Sequence, residues 1–256
     1  MQEGQFAAVF HAVLANAEVG PGTRHLDVGC GAGMAAALST TLGAVVSGLD
    51  ASDALLEIAR ERSPGGDFPQ GDLEELSFDD DSFDLVTGFN AFQFAGDPAR
   101  ALREAGRMTR PDGRVVIMTW GETAGMEAAG RVAALKPLMP PPPPGAGGPF
   151  VLSEESNLRA FATADRLTPL EVADVDSPWH YPDLDTALRG MKSSGVAVKV
   201  AEHSVEAALT AASTQFLMPF QKSDGSFLFG ARARYLVAAV GHLLHGPHLT
   251  GQSFGH

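Results

Sequence analysis

Cysteine is almost absent, with Cys30 the single one in 256 residues. An intrachain disulfide and a cysteine-based zinc site are therefore excluded. Basic side chains are scarce as well: 18 Lys and Arg face 31 Asp and Glu, a formal net charge of −13. A polyanion would meet net repulsion, and no basic stripe offsets it locally, so nucleic acid is not an expected partner. No apolar run reaches membrane-spanning length, and Met1-Gln2-Glu3-Gly4 lacks the basic segment of a signal peptide. A cytoplasmic protein without membrane insertion is the expectation. No internal repeat is found. The apolar fraction, 45%, and the length leave ample material for a core.

The most informative stretch present is Leu26-Asp27-Val28-Gly29-Cys30-Gly31-Ala32-Gly33, followed by Met34 to Leu38 in a helix-forming register. Arg24 to Val28 reads as a short buried strand, so the glycines make a strand-to-helix turn. Glycine allows both the tight bend and the close approach of a ligand. A dinucleotide fingerprint wants a third glycine three residues after the second, and Met34 stands there instead. This disfavours a nicotinamide-dependent oxidoreductase.

Around the turn, strand and helix alternate. Phe6, Val9, Phe10, Val13 and Leu14 make one face of a helix over 5–18. Strands are expected at 44–49, weakly at 67–70, at 83–89 and at 114–120, with helices at 34–42, from Ser52 or Asp53 to Arg62, and from Asp97-Pro98 to Met108. Pro111-Asp112-Gly113 reads as a turn, and the acidic run Asp79 to Asp81 as a solvated loop. The alternation predicts an α/β domain whose parallel sheet is covered by helices. Beyond it, 122–136 reads as helix, Pro140 to Pro144 as a stiff spacer, the segment after Ser153 as helix, 170–175 as strand, 183–218 as mostly helix and 231–240 as the last strand.

Two carboxylates follow strands in this pattern. Asp50, after the second, can accept hydrogen bonds from both hydroxyls of a ribose. Asp72, after the third, can accept from an exocyclic amine while Leu73 packs on a ring. Either can equally cap a helix or hold a loop, and Asp27 can serve the glycine turn's own backbone. Cys30 reads as a packed side chain, since no base accompanies it. His242, His245 and His248 would bind metal only if helical, and the Gly and Pro around them favour a frayed tail, so no metal is expected.

The stretches Leu26 to Gly33, Gly48 to Ser52, Gly71 to Leu76, Ser82 to Val86, and Leu102 through Arg110 to Arg114, in this order, resemble class I S-adenosylmethionine-dependent methyltransferases of the ubiquinone and menaquinone biosynthesis branch. The resemblance covers residues 20–120. It implies a Rossmann-like, seven-stranded, mostly parallel sheet with helices on both faces and a helical lid inserted before the last strand. It implies a single domain: an N-terminal helix over 1–20, a cofactor-binding core over 21–121, connecting helices and lid over 122–230, the last strand over 231–240 and a flexible tail over 241–256. The cofactor would be S-adenosyl-L-methionine. Asp27, Gly29, Gly31 and Gly33 would line its methionine part, Asp50 its ribose, Ala51, Asp72 and Leu73 its adenine, and Asn90 and Ala91 the sulfonium.

The acceptor would be a small molecule, approached by Phe92, Gln93 and Trp120 from the sheet edge and by Trp179, His180 and Tyr181 from the lid. The N-terminal helix, with Phe6, Phe10 and His11, would close the pocket. An oxygen acceptor calls for a base, for which His180 and His11 are the candidates. Transfer would be a direct displacement at the sulfonium methyl. The competing expectations are a methyltransferase-like enzyme with a non-methylating step such as a cyclisation, and a non-catalytic cofactor-binding module. A monomer or a homodimer is compatible with the sequence.

Overall fold

A computed structural model describes residues 5–140, 148–165, 167–193 and 195–241. Pro141 to Pro144 and the tail histidines His242, His245 and His248 lie outside the described residues. The main sheet has six strands: β1 (Arg24–Val28), β2 (Val45–Leu49), β3 (Phe83–Phe89), β4 (Thr109–Trp120), β5 (Leu167–Asp176) and β8 (Arg232–Val240), in spatial order β2-β1-β3-β4-β8-β5. β1 to β4 run parallel, and β8 is antiparallel to both its neighbours. The expected seventh strand, at 67–70, is reduced to two bridges beside β2, Ser47 to Asp67 and Asp50 to Gln70. Pro69 lies between them and has no N–H to give a ladder, which accounts for the correction.

Two flat faces of this sheet are covered. Leu102, Ala105 and Met108 of α4 (Pro98–Met108) and Leu158 and Ala162 of α6 (Glu155–Ala164) pack on one, against Val115, Ile117 and Leu236. Val9, Val13 and Leu14 of α1 (Ala7–Asn16) pack on the other, against Val116, Met118, Tyr235 and Val237. Val115 to Met118 are at most 1% exposed, so neighbouring residues of β4 feed opposite faces and the strand reads as an unbroken apolar run. Ala36 of α2 (Met34–Thr41) and Leu56 and Ala59 of α3 (Asp53–Arg62) enclose Val46 and Phe68 at the β2 edge. The Pro111-Asp112-Gly113 turn survives as an irregularity inside β4. There the pairing with β3 jumps from Phe83–Thr109 to Leu85–Arg114, and Asp112 takes φ 66°.

The segment between β4 and β8 is not one continuous lid. β5 and α6 return from it to the sheet. The cap is built from what remains: α5 (Gly130–Leu135) before them, and β6 (Trp179–Tyr181), α7 (Leu184–Lys192), α8 (Gly195–His203), α9 (Glu206–Leu217) and β7 (Phe227–Phe229) after them. β6 and β7 form an antiparallel pair of their own. Trp179, Tyr181, Ala187, Met191, Leu217, Phe227 and Phe229 make the cap a separate apolar core. No helix among the described residues is long and apolar enough to cross a membrane.

Candidate functional site

The C-terminal ends of β1, β2 and β3 share one sheet edge, and the loops that leave them converge there. Gly29, Gly31 and Gly33 all adopt left-handed backbone, at φ 68°, 53° and 72°. The turn is tied to β2, since the N–H groups of Gly29 and Cys30 both donate to the Leu49 carbonyl, at 2.8 and 3.0 Å. Asp50 closes the tie: its Oδ2 accepts from Gly31 N–H at 2.8 Å and its Oδ1 from Ser52 N–H at 2.9 Å. Each carboxylate oxygen keeps a second lone pair for a ligand hydroxyl.

The glycines differ in what surrounds them. A Cβ on Gly29 would sit 2.7 Å from the Ala91 methyl and 3.9 Å from Leu73, so the loops after β1 and β3 and the segment after Asp72 meet at that point. A Cβ on Gly33 would lie 2.7 Å from the Ala59 methyl of α3. A Cβ on Gly31 would meet nothing within 4 Å. That open position, in the middle of the turn, is a cradle in which a ligand can approach bare backbone.

Beneath the turn lies a buried polar chain that sequence reasoning did not find. Thr87 Oγ1 donates to Asp27 Oδ1 at 2.8 Å, and His25 Nε2 lies 2.8 Å from the same hydroxyl. His25 Nδ1 lies 2.8 Å from Ser39 Oγ. A hydroxyl has one proton, so with Thr87 spending its own on Asp27 the imidazole must carry its proton on Nε2 and accept at Nδ1. Burial without a countercharge pushes His25 down to about 3, so the ring is neutral. Burial also pushes Asp27 up to about 7, against the Thr87 hydrogen bond and with the Asp50 carboxylate adding to the rise. The Cys30 thiol is pushed well up by burial and by Asp27 and Asp50, which leaves it protonated and unreactive. The available signal was a histidine inside a short strand, two residues from Asp27 and therefore on the same face.

Other expected site residues fall in several places. Asp72 is exposed, and its Oδ1 accepts from Glu74 N–H at 2.9 Å, an Asx-type turn that aims Leu73 inward. Ala51 is exposed and gives its carbonyl to Gln70 Nε2 at 2.8 Å. Asn90 takes φ 53° directly after β3, and its Oδ1 accepts from Gln93 Nε2 at 2.9 Å. Gln93 Oε1 is buried without a partner among the described residues. Phe92 is fully buried in the sheet core, where a Cβ on Gly88 would strike its ring at 2.3 Å, so it is a packing residue and not a pocket residue.

Aromatic rings run from the sheet edge into the cap. Phe89 meets Phe10 at 4.8 Å, Phe6 meets Trp120 at 5.0 Å, Trp120 meets Trp179 at 5.8 Å, and Trp179 meets Phe229 at 5.4 Å. Gln5 ties α1's leading end to the cap, its side chain donating to the Tyr181 hydroxyl and its carbonyl accepting from Ser177. Trp179 and Tyr181 are buried, while His180 between them is exposed, as strand alternation requires. His11 is exposed on α1. Both histidines are open to solvent, and neither is among the residues that meet at Gly29 and Asp50.

Residues 26–117 match the methyltransferase-domain family. The chain is 32% identical over 183 residues to a malonyl-[acyl-carrier protein] O-methyltransferase of Erwinia pyrifoliae, covering 72% of this chain and 66% of that one. It is 39% identical over 99 residues to a demethylmenaquinone methyltransferase of Clavibacter sepedonicus, covering 38% of this chain and 40% of that one. In structure it resembles the YcgJ protein of Bacillus subtilis, with a TM-score of 0.59 and 23% identity over 90% of this chain and 97% of the other, a likeness of fold. The chain spans about two thirds or less of the length of these two curated relatives. Residues 26–117 thus carry the methyltransferase domain of class I S-adenosylmethionine-dependent enzymes.

Proposed function

We propose that the protein binds S-adenosyl-L-methionine on the glycine turn and methylates a small-molecule acceptor by direct displacement. The observation that carries the reading is the convergence of the open backbone at Gly31, the Asp50 carboxylate, Leu73 and Ala91 at one sheet edge. Asp27 and the glycines would hold the methionine part, Asp50 the ribose, Ala51, Asp72 and Leu73 the adenine, and Asn90 and Ala91 the neighbourhood of the sulfur. When bound, the cofactor supplies a methyl group on a sulfonium, electrophilic without further activation. The residues of this chain would align the acceptor behind that methyl and keep water out. The rings of Phe6, Phe10, Phe89 and Trp120 between the sheet edge and the cap would favour an acceptor with an apolar part. The relatives' names, one an O-methyltransferase of a malonyl carrier protein and one acting on demethylmenaquinone, share the donor chemistry and differ in acceptor. Acceptor choice would then rest with the cap, which lies beyond the matched residues 26–117.

Thermal unfolding with S-adenosylhomocysteine tests this. At a hundred times its Kd the ligand is expected to stabilise the protein by about 2.7 kcal/mol, and Asp50→Ala to abolish the shift. An unchanged melting temperature at millimolar ligand would overturn the reading.

A further inference from the structure

We propose that Ser39, His25 and Thr87 form a neutral relay that orients the Asp27 carboxyl toward the ammonium of the donor's methionine end, and that donor binding releases a proton from Asp27. This rests on the reading that the glycine turn seats S-adenosylmethionine.

Ser39, His25 and Thr87 are fully buried and Asp27 is 2% exposed, so no solvent substitutes for any link. The three contacts, each 2.8 Å, join α2, β1 and β3 into one chain that ends on a carboxyl directly before the turn. Each hydroxyl carries a single proton, which fixes the polarity of the chain: Thr87 donates to Asp27 Oδ1, His25 donates from Nε2 to Thr87 and Ser39 donates to Nδ1. Asp27 Oδ2 takes no part in the chain, so it can carry or lose a proton while every link keeps its direction. The imidazole keeps its proton on Nε2 and stays uncharged in both states, as burial dictates.

The groups facing Asp27 do not compensate its charge. Asp50 at the end of β2 repels it, Cys30 in the turn is a protonated thiol, His25 behind Thr87 is neutral, and the α3 cations are directed elsewhere, Arg62 to the Ala32 carbonyl and Arg60 to Asp53 and the Phe68 carbonyl. α2 has no titratable side chain, and the one on α1, His11, is exposed. A cation delivered to the turn is thus the missing partner. It favours the ionised carboxyl, whose proton leaves to solvent on the site side. With Asp27 titrating near 7, apparent donor affinity should fall about tenfold between pH 8 and pH 6.

Calorimetric titration with S-adenosylhomocysteine, which carries the same methionine ammonium, tests the proposal in buffers of differing ionisation heat from pH 5.5 to 8.5. The expected results are net proton release on binding, the tenfold affinity loss, and displacement of that profile to higher pH in Thr87→Val. PH-independent affinity without proton release, or a Thr87→Val loss equal at every pH, would overturn the relay. Absence of binding at every pH would instead overturn the donor-site reading. Nitrogen-15 spectra of His25 in the ligand-free wild type test the relay without any variant. A neutral ring with its proton on Nε2 across the titration of Asp27 supports it, and a ring that carries its proton on Nδ1 or protonates near its ordinary 6.5 overturns it.

Discussion

If Asp27 holds the donor as proposed, stability and ligand binding conflict within one side chain. Its folded value, about 7, lies above the ordinary 3.8, so between about pH 4 and pH 7 the folded state keeps a proton that the unfolded chain has shed. Its contribution is therefore full below about pH 4 and is lost as pH rises through 7, amounting to a penalty on the order of 4 kcal/mol at pH 8. His25, lowered to about 3, acts in the other sense: its contribution is present above 6.5 and is lost as pH falls from there toward 3. Asp27→Asn keeps an oxygen for the Thr87 hydroxyl and removes the ionisation. It should raise the melting temperature over wild type, by a margin that widens from pH 5 to pH 8, while weakening S-adenosylhomocysteine binding. Parallel melting curves across that range would contradict the assignment. None of this was legible from Asp27 alone, because a carboxyl's proton affinity depends on Thr87 and Asp50, sixty and twenty-three positions away in sequence.

The strand–turn–helix unit from β1 through α2 was the part most legible in the sequence, since spacing of the three glycines is a local property of the backbone. The partners that explain each glycine are not local. Gly33 needs its missing Cβ because α3 passes there, with Ala59 Cα 2.9 Å from the position, whereas Gly31 faces open space. Gly33→Ala should accordingly lower stability by roughly 1–3 kcal/mol through overpacking in addition to its backbone strain. Gly31→Ala should cost less in thermal stability and more in ligand affinity, because its methyl enters the cradle. Equal losses in both variants would contradict this division. The 67–70 strand and the β6–β7 pair show where periodicity runs out. The first is too short and interrupted by Pro69, and the second, with only three residues in each strand, reads as loop. Trp179, His180 and Tyr181 were seen together in the sequence, but the strand that turns two inward and one outward was not.

At the scale of the whole molecule there are two apolar bodies, the covered sheet and the cap, joined through Gln5, Phe6 and Trp120. Phe229 is the hub of the second, with ring centroids 5.2 to 5.4 Å from Phe220, Phe216 and Trp179. Phe229→Ala should cost about 3–5 kcal/mol, loosen the cap and shift the tryptophan emission to the red. If the donor sits on the sheet and the acceptor under the cap, this variant keeps S-adenosylhomocysteine affinity within about threefold while turnover collapses; a parallel loss of both would contradict that separation. The sheet itself carries a further consequence in time. β8, the strand between β4 and β5, is made after both of them and after the entire cap. On the ribosome, β4 and β5 must therefore wait with unpaired edges facing a vacant slot while some sixty residues are added after β5. Translation stalled in that interval would leave an open, apolar sheet, the form of this protein most in need of a chaperone.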